Sequence, residues 1–310
     1  MVRGINASGL VVGRVGTVFN TETHGFMWSS GAHMKLLGSL ADGDFSEAVS
    51  VNELGDIVGS SNTMSHLRAF LRQRTGTMLD LGVLPGDSGS RASSVNRAGQ
   101  VVGSSMGRCG TRAFVWTKKD GIQALMPLPG SDFSEATSIN NAGVIAGISG
   151  LAHGAHCGVR WENAATVREL ATLPGDGGSE AYAINESGQI VGASIGSLEV
   201  HASIWTDNGG IQNLGSLPGG HFSTALGINK SGEIIGISTT GLGASHACIW
   251  TNRRGVRDLN DLISTDSQVL LAAAIGINDR GQIIAYGGNR NTYDHDTPTR
   301  IYLLTPKTTE

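Results

Sequence analysis

The sequence predicts an all-β protein, a seven-bladed β-propeller built from four-stranded antiparallel blades. Three observations lead there. A phrase of the form Ile-Asn-x-x-Gly-x-Ile/Val-Val-Gly recurs along the chain, with its asparagines at Asn6, Asn52, Asn96, Asn140, Asn185, Asn229 and Asn278. The steps between them are 46, 44, 44, 45, 44 and 49 residues, so seven copies fill the 310-residue sequence. Each copy also holds four short alternating or β-branched segments separated by turn residues, the pattern of antiparallel strands. Four strands in roughly 40 to 45 residues is the spacing of a propeller blade. A parallel β-helix has much shorter rungs, and an open stack of seven sheets would leave pairing edges that a closed ring removes.

The elements follow in order within each repeat. In the fifth copy, residues 179–184, 189–194, 201–205 and 211–217 have strand character. Between them lie Asn185-Glu-Ser-Gly188, a variable loop, and Thr206-Asp-Asn-Gly209, and the unit closes with Leu217-Pro-Gly-Gly220. Gly and Asn tolerate the left-handed backbone that tight hairpins require. Residues 67–78 have a composition that would suit a helix, but the repeat places Ala69, Phe70 and Leu71 opposite a strand of the other copies, and the repeat decides. The predicted blades span about 1–40, 46–84, 90–128, 134–173, 179–217, 223–263 and 269–304, a single domain over 1–310.

The Leu-Pro-Gly connection should carry the chain from an outer strand to the next inner one. The inner strand is then Ser-x-Ala-x-x-Ile-Asn, whose Ala48, Ala92, Ala136 and Ala181 suit crowding near an axis. By that count the last blade has strands at 270–277, 282–286 and 300–304 and lacks its outer strand. Because the first blade starts directly at its inner strand, the expectation is either a three-stranded last blade or a longer parent chain that supplies the missing strand, the second being favoured.

Composition excludes several classes. A net charge of −4 with 22 Lys and Arg against 26 Asp and Glu argues against a nucleic-acid binder. No apolar run reaches the length of a membrane span, and residues 1–15 do not read as a signal peptide. Three cysteines, Cys109, Cys157 and Cys248, cannot frame a disulfide scaffold. Charged residues reach 15% and hydrophobic ones 39%, enough for a sizeable core, and the chain is expected to be a monomer.

The third segment of the repeat reads His24-Gly-Phe-Met-Trp28, Arg68-Ala-Phe-Leu-Arg72, Arg112-Ala-Phe-Val-Trp116, His201-Ala-Ser-Ile-Trp205 and His246-Ala-Cys-Ile-Trp250. Together with the Leu-Gly-x-Leu-Pro-Gly and Ile-Asn-x-x-Gly-Gln-Ile-Val-Gly segments, it resembles the HAF family of extracellular repeats, named for a His-Ala-Phe tripeptide. The resemblance implies β-propeller-type repeats on a secreted or cell-surface protein and no general activity.

Candidate site residues are those that differ between copies, because every blade must solve the same packing problem. Five positions before each Asn stand Met1, Glu47, Arg91, Glu135, Glu180, Thr224 and Ala273, a ring with mixed charge. Loop carboxylates Asp42, Asp44, Asp87, Asp132 and Asp176 are expected above it. A second ring at the start of the third strand holds His24, Arg68, Arg112, Cys157, His201, His246 and Arg300, read foremost as a polar network inside each blade over a core Trp. Tyr182 and His221 break their rows. These groups point to a carbohydrate, another extracellular ligand or a small polar molecule bound at one face of a central funnel. Glu47, Glu135 and Glu180 also suit the paired carboxylates of a glycosidase, such as a galactosidase or glucosidase, or of a lyase. A protein-interaction scaffold is the remaining reading.

Other motifs carry less. Gly103-Ser-Ser-Met-Gly107 and Gly192-Ala-Ser-Ile-Gly196 fit G-x-S-x-G, but no helix follows to make a nucleophile elbow. Asp42-Gly-Asp44 and Asp176-Gly-Gly178 lack the ligand count of a calcium loop. His153, His156 and Cys157, or Asp294-His-Asp296, do not complete a four-ligand metal set. No cofactor is expected.

Overall fold

The computed structural model describes residues 1–16, 23–41, 43–63, 66–108, 110–151, 154, 156–207, 210–289 and 300–307. Asp42, Cys109, His153 and the Asp294-His-Asp296 motif lie outside the described residues. Among those described, strands form seven antiparallel sheets, six of four strands and the last of three, and the fold is a seven-bladed β-propeller. The last blade comprises Val269–Ile277, Ile283–Asn289 and Arg300–Leu304, without an outer strand, as the repeat count predicts. Leu67–Arg72 is a strand, so the register of the repeat outweighs the helical leaning of its composition. The helical elements among the described residues are two three-residue 3-10 turns. Blades one to four fall in one compact unit, Met1–Glu169, and blades five to seven in another, Leu170–Glu310.

In both units the core lies between adjacent blades. In the first, Val58 and Leu71 of blade two pack with Leu84, Val101, Phe114 and Trp116 around blade three. Val102, Leu125, Ile145 and Trp161 do the same between blades three and four. In the second unit, Val191 and Ile204 meet Ile234 and Trp250, and Ile235 meets Leu271 and Ile283. Trp116, Trp161, Trp205 and Trp250 are buried and Trp28 is half-buried. Each indole N–H also needs a partner once buried. Trp161 donates to the carbonyl of Met126 at 2.7 Å, and Trp205 and Trp250 donate to Ala171 and Gly215 at 2.7 and 3.0 Å. In blades four, five and six the tryptophan thus binds the end of the preceding blade as well as filling the core.

The repeated Asn does more than form a turn. Asn96 is 3% exposed. Its Oδ1 accepts from the backbone N–H of Ala98 and Gln100, and its Nδ2 donates to Gln100 Oε1 at 2.7 Å and to the carbonyl of Asn140 in the next blade at 3.1 Å. Asn6 reaches the Asn52 carbonyl and Asn52 reaches that of Asn96, each at 2.9 Å. In the second unit Asn185 and Asn229 make the same bond to Asn229 and Asn278. The inner strands of each unit are therefore stapled side by side through one side chain per blade.

Two buried serines in each of blades two to six act likewise. Ser90 Oγ accepts the N–H of Ala69 from the preceding blade, and Ser105 Oγ accepts the N–H of Leu84 in the Leu-Pro-Gly connection. Ser105 and Ser194 are the central serines of the two G-x-S-x-G matches. Both are fully buried, and Ser194 accepts from Leu173 and donates to Asp176. They hold backbone and are closed to a substrate.

The glycine ending Ile/Val-Val-Gly has a different reason. A Cβ on Gly103 would lie 2.0 Å from the carbonyl oxygen of Arg91, and one on Gly147 would lie 2.1 Å from that of Glu135. Only glycine admits this approach. Directly beyond it each inner strand carries one extra residue, a β-bulge, at Arg3, Val49, Ser93 and Thr137 in the first unit. Bulges re-aim side chains beside functional sites.

Candidate functional site

The first unit contains a cleft of about 480 Å³. It is lined by three of the predicted ring residues, Glu47, Arg91 and Glu135, together with Arg3, Arg14 and Phe45. The bulges build it. Glu47, Arg91 and Glu135 stand two residues before the bulged position on the same strand face, and Arg3, Val49 and Ser93 are the bulged residues themselves. Arg14 follows the second-strand glycine of blade one, the position that Ser60 holds in blade two and Ser104 in blade three.

The charges within the cleft are unevenly paired. Glu47 receives Arg3 Nε at 3.0 Å and Arg14 Nη1 at 3.5 Å, one carboxylate shared by two guanidiniums. Arg91 is exposed, and its guanidinium makes no hydrogen bond or ion pair among the described residues. Glu135 is half-buried, and its carboxyl accepts no hydrogen bond there either. Burial raises the Glu135 pKa above the usual glutamate value, and the charge of Arg91 opposes this without overcoming it. Phe45, half-buried, adds an aromatic wall.

The other predicted site residues of this unit are elsewhere. Asp44 is exposed and accepts from Asn62 Nδ2. Asp87, expected among the ligand-facing carboxylates, has a side chain 1% exposed and pairs with Arg112 Nη2 at 3.0 Å. The third-strand arginine captures it, so it stands inside the blade. Asp132 is exposed and lines a separate pocket of about 280 Å³ with Arg112, Met126 and Phe133.

In the second unit Tyr182 is the bulged residue of blade five, and its hydroxyl donates to the carboxylate of Glu180 on the same strand face. Burial, then this bond and the carboxylate charge, raise the pKa of the phenol. Asp176, also expected to face a ligand, is turned inward, where it accepts from Ser194 Oγ at 2.6 Å and lies 3.9 Å from His201. His201 and His221 both approach Glu199, at 3.7 and 3.0 Å. His246 pairs with Asp258 of the adjacent strand at 2.5 Å. Arg68 to Asp80 at 3.8 Å repeats that strand-to-strand pairing in blade two. Much of the second ring is therefore the expected network inside the blades. Cys248 is buried, as a small apolar residue would be. Among the described residues no cluster of three His, Cys, Asp or Glu is arranged to hold a metal ion, and no helix is long and apolar enough to cross a membrane.

Reading the repeat missed Arg3 and Arg14. The signal was present: Arg3 occupies the same row as Tyr182, three positions before the Asn, and Arg14 stands where blades two to six carry Ser, Ala or Ile and blade seven carries Tyr286.

No family model matches the chain, and no curated protein matches it. Its solved structural neighbours are β-propellers. Virginiamycin B lyase from Staphylococcus aureus is 12% identical with a TM-score of 0.57, over 92% of this chain and 90% of that one. Puromycin hydrolase is 12% identical with a TM-score of 0.66, over 98% of this chain and 51% of that one. TolB from Acinetobacter baumannii is 13% identical with a TM-score of 0.51, over 77% of this chain and 60% of that one. The chain thus spans about half of the puromycin hydrolase chain. At these identities the likeness is one of fold.

Proposed function

We propose that the chain is a ligand-binding propeller that takes a carbohydrate or another small polar molecule in the cleft of its first unit. The observation that carries this reading is the set Arg3, Arg14, Glu47, Arg91 and Glu135, gathered from four blades at positions the fold leaves free to vary. Packing repeats Asn in every blade and Ser, Gly and Trp in most of them, and makes no demand for charge here. The cleft also combines polar groups with an aromatic wall, the usual make-up of a small-molecule site. The HAF resemblance supports an extracellular ligand. A glycan array followed by isothermal titration tests it, with Arg91→Ala as the control variant. Saturable binding that weakens in the variant supports the reading; binding unchanged by the variant places the ligand elsewhere.

The geometry of Glu135 favours a second reading. A carboxyl that burial disposes to keep its proton is what general acid catalysis of glycoside cleavage or elimination requires. In this reading Glu135 donates the proton to a leaving oxygen and the ion-paired Glu47 stabilises developing positive charge. Lyase and hydrolase are also the activities named for two of the fold neighbours. Chromogenic glycosides assayed with wild type and Glu135→Gln decide it: turnover abolished in the variant supports catalysis, and turnover equal in both removes Glu135 from the chemistry.

A further inference from the structure

We infer that the ligand of this cleft carries a carboxylate, and that the site is built for an acidic saccharide such as a uronic acid; this rests on the ligand-binding reading above. Three guanidiniums, Arg3, Arg14 and Arg91, face two carboxyls, Glu47 and Glu135. The whole chain has a net charge of −4, so the cleft reverses the sign of the molecule around it. A local reversal of this kind is maintained against the general field and draws an anion toward the site.

The hydrogen-bonding inventory leads to the same chemistry. A guanidinium has five N–H donors. Arg3 uses Nε and Arg14 uses Nη1 on Glu47, while the Arg91 guanidinium donates to no described residue. Among the described residues, the remaining side-chain donors of these arginines have no acceptors of their own. A planar carboxylate is the small acceptor that such forks match best, through paired bonds that a neutral hydroxyl cannot equal. Glu135, half-buried among these groups, adds a carboxyl within reach of a sugar hydroxyl. Phe45 offers an apolar face to a sugar ring.

The test is titration calorimetry at low ionic strength with three probes: trigalacturonate, its fully methyl-esterified form and galactotriose. Trigalacturonate is expected to bind at least tenfold more tightly than the ester, and the difference should disappear in Arg91→Ala. Arg91 is exposed and its guanidinium bonds to no described residue, so that variant is expected to fold, and circular dichroism checks it. Equal affinity for acid and ester, or tighter binding of galactotriose, overturns the carboxylate while leaving the ligand-binding reading intact. No binding of any probe overturns the acidic-saccharide assignment, and a glycan array without hits then removes the broader reading as well.

Discussion

Replacing Asn96 by alanine probes the staple that joins one blade to the next. The side chain is 3% exposed and makes four hydrogen bonds: two accepted from the backbone of Ala98 and Gln100, one donated to Gln100 Oε1 and one donated to the Asn140 carbonyl. The bonds to Ala98 and Gln100 are part-buried, where water partly replaces them. The bond to Asn140 is buried, and its loss leaves a carbonyl without that partner. At about 1 kcal/mol for the buried bond to Asn140, about 1 kcal/mol in all for the part-buried ones, and roughly 1 kcal/mol more for the buried carbonyl and the cavity, the loss is about 3 kcal/mol. Urea denaturation followed by near-ultraviolet circular dichroism measures it. Gln123→Ala, on the exposed face of an outer strand, is the control and should stay within about 0.5 kcal/mol of wild type. A loss below about 1 kcal/mol for Asn96→Ala would refute the staple and return the residue to the role of a turn former.

Gly103→Ala should cost about 1–3 kcal/mol by overpacking, because its Cβ would meet the Arg91 carbonyl at 2.0 Å, and ligand affinity should fall with it as the bulge shifts; denaturation and titration of the same preparation report both. Trp205→Phe keeps much of the packing but strands the Ala171 carbonyl, for a loss of about 1–2 kcal/mol by thermal or urea unfolding. For Glu135 the folded pKa lies above the unfolded one, so its stabilising contribution is complete below the ordinary glutamate range and is lost as pH rises through the folded value. Glu135→Gln should therefore unfold at higher urea than wild type at neutral pH, and the gap should close near about pH 3.5; a gap that widens on acidification contradicts the assigned direction.

The repeat made the blades legible because each strand is specified several times over. The period of the asparagines, the alternation inside each segment and the turn residues agree, which is why even Leu67–Arg72 could be placed as a strand. Glu47, Arg91 and Glu135 were legible as neighbours for the same reason: one register applied to successive blades brings one position to one place. Arg14 was harder to see, since its place depends on which residue of the second strand faces the inner one, and hairpin pairing fixes that. Asp87 and Asp176 were misplaced because a loop carboxylate beside a hydroxyl or guanidinium is captured by it, and Arg112 and Ser194 come from strands distant in sequence. The staples escaped for a related reason. A turn rule reads four residues, whereas Asn96 spends one donor 44 residues away.

A crystal structure of the chain with trigalacturonate tests the central claim most directly, since shared residues should build the blades and unshared ones should hold the ligand. The account predicts sugar density in the first-unit cleft, with the carboxylate on Arg91 and a ring over Phe45. Density that contacts only the Asn, Ser and Trp positions common to the blades, or that lies outside the cleft altogether, would contradict it.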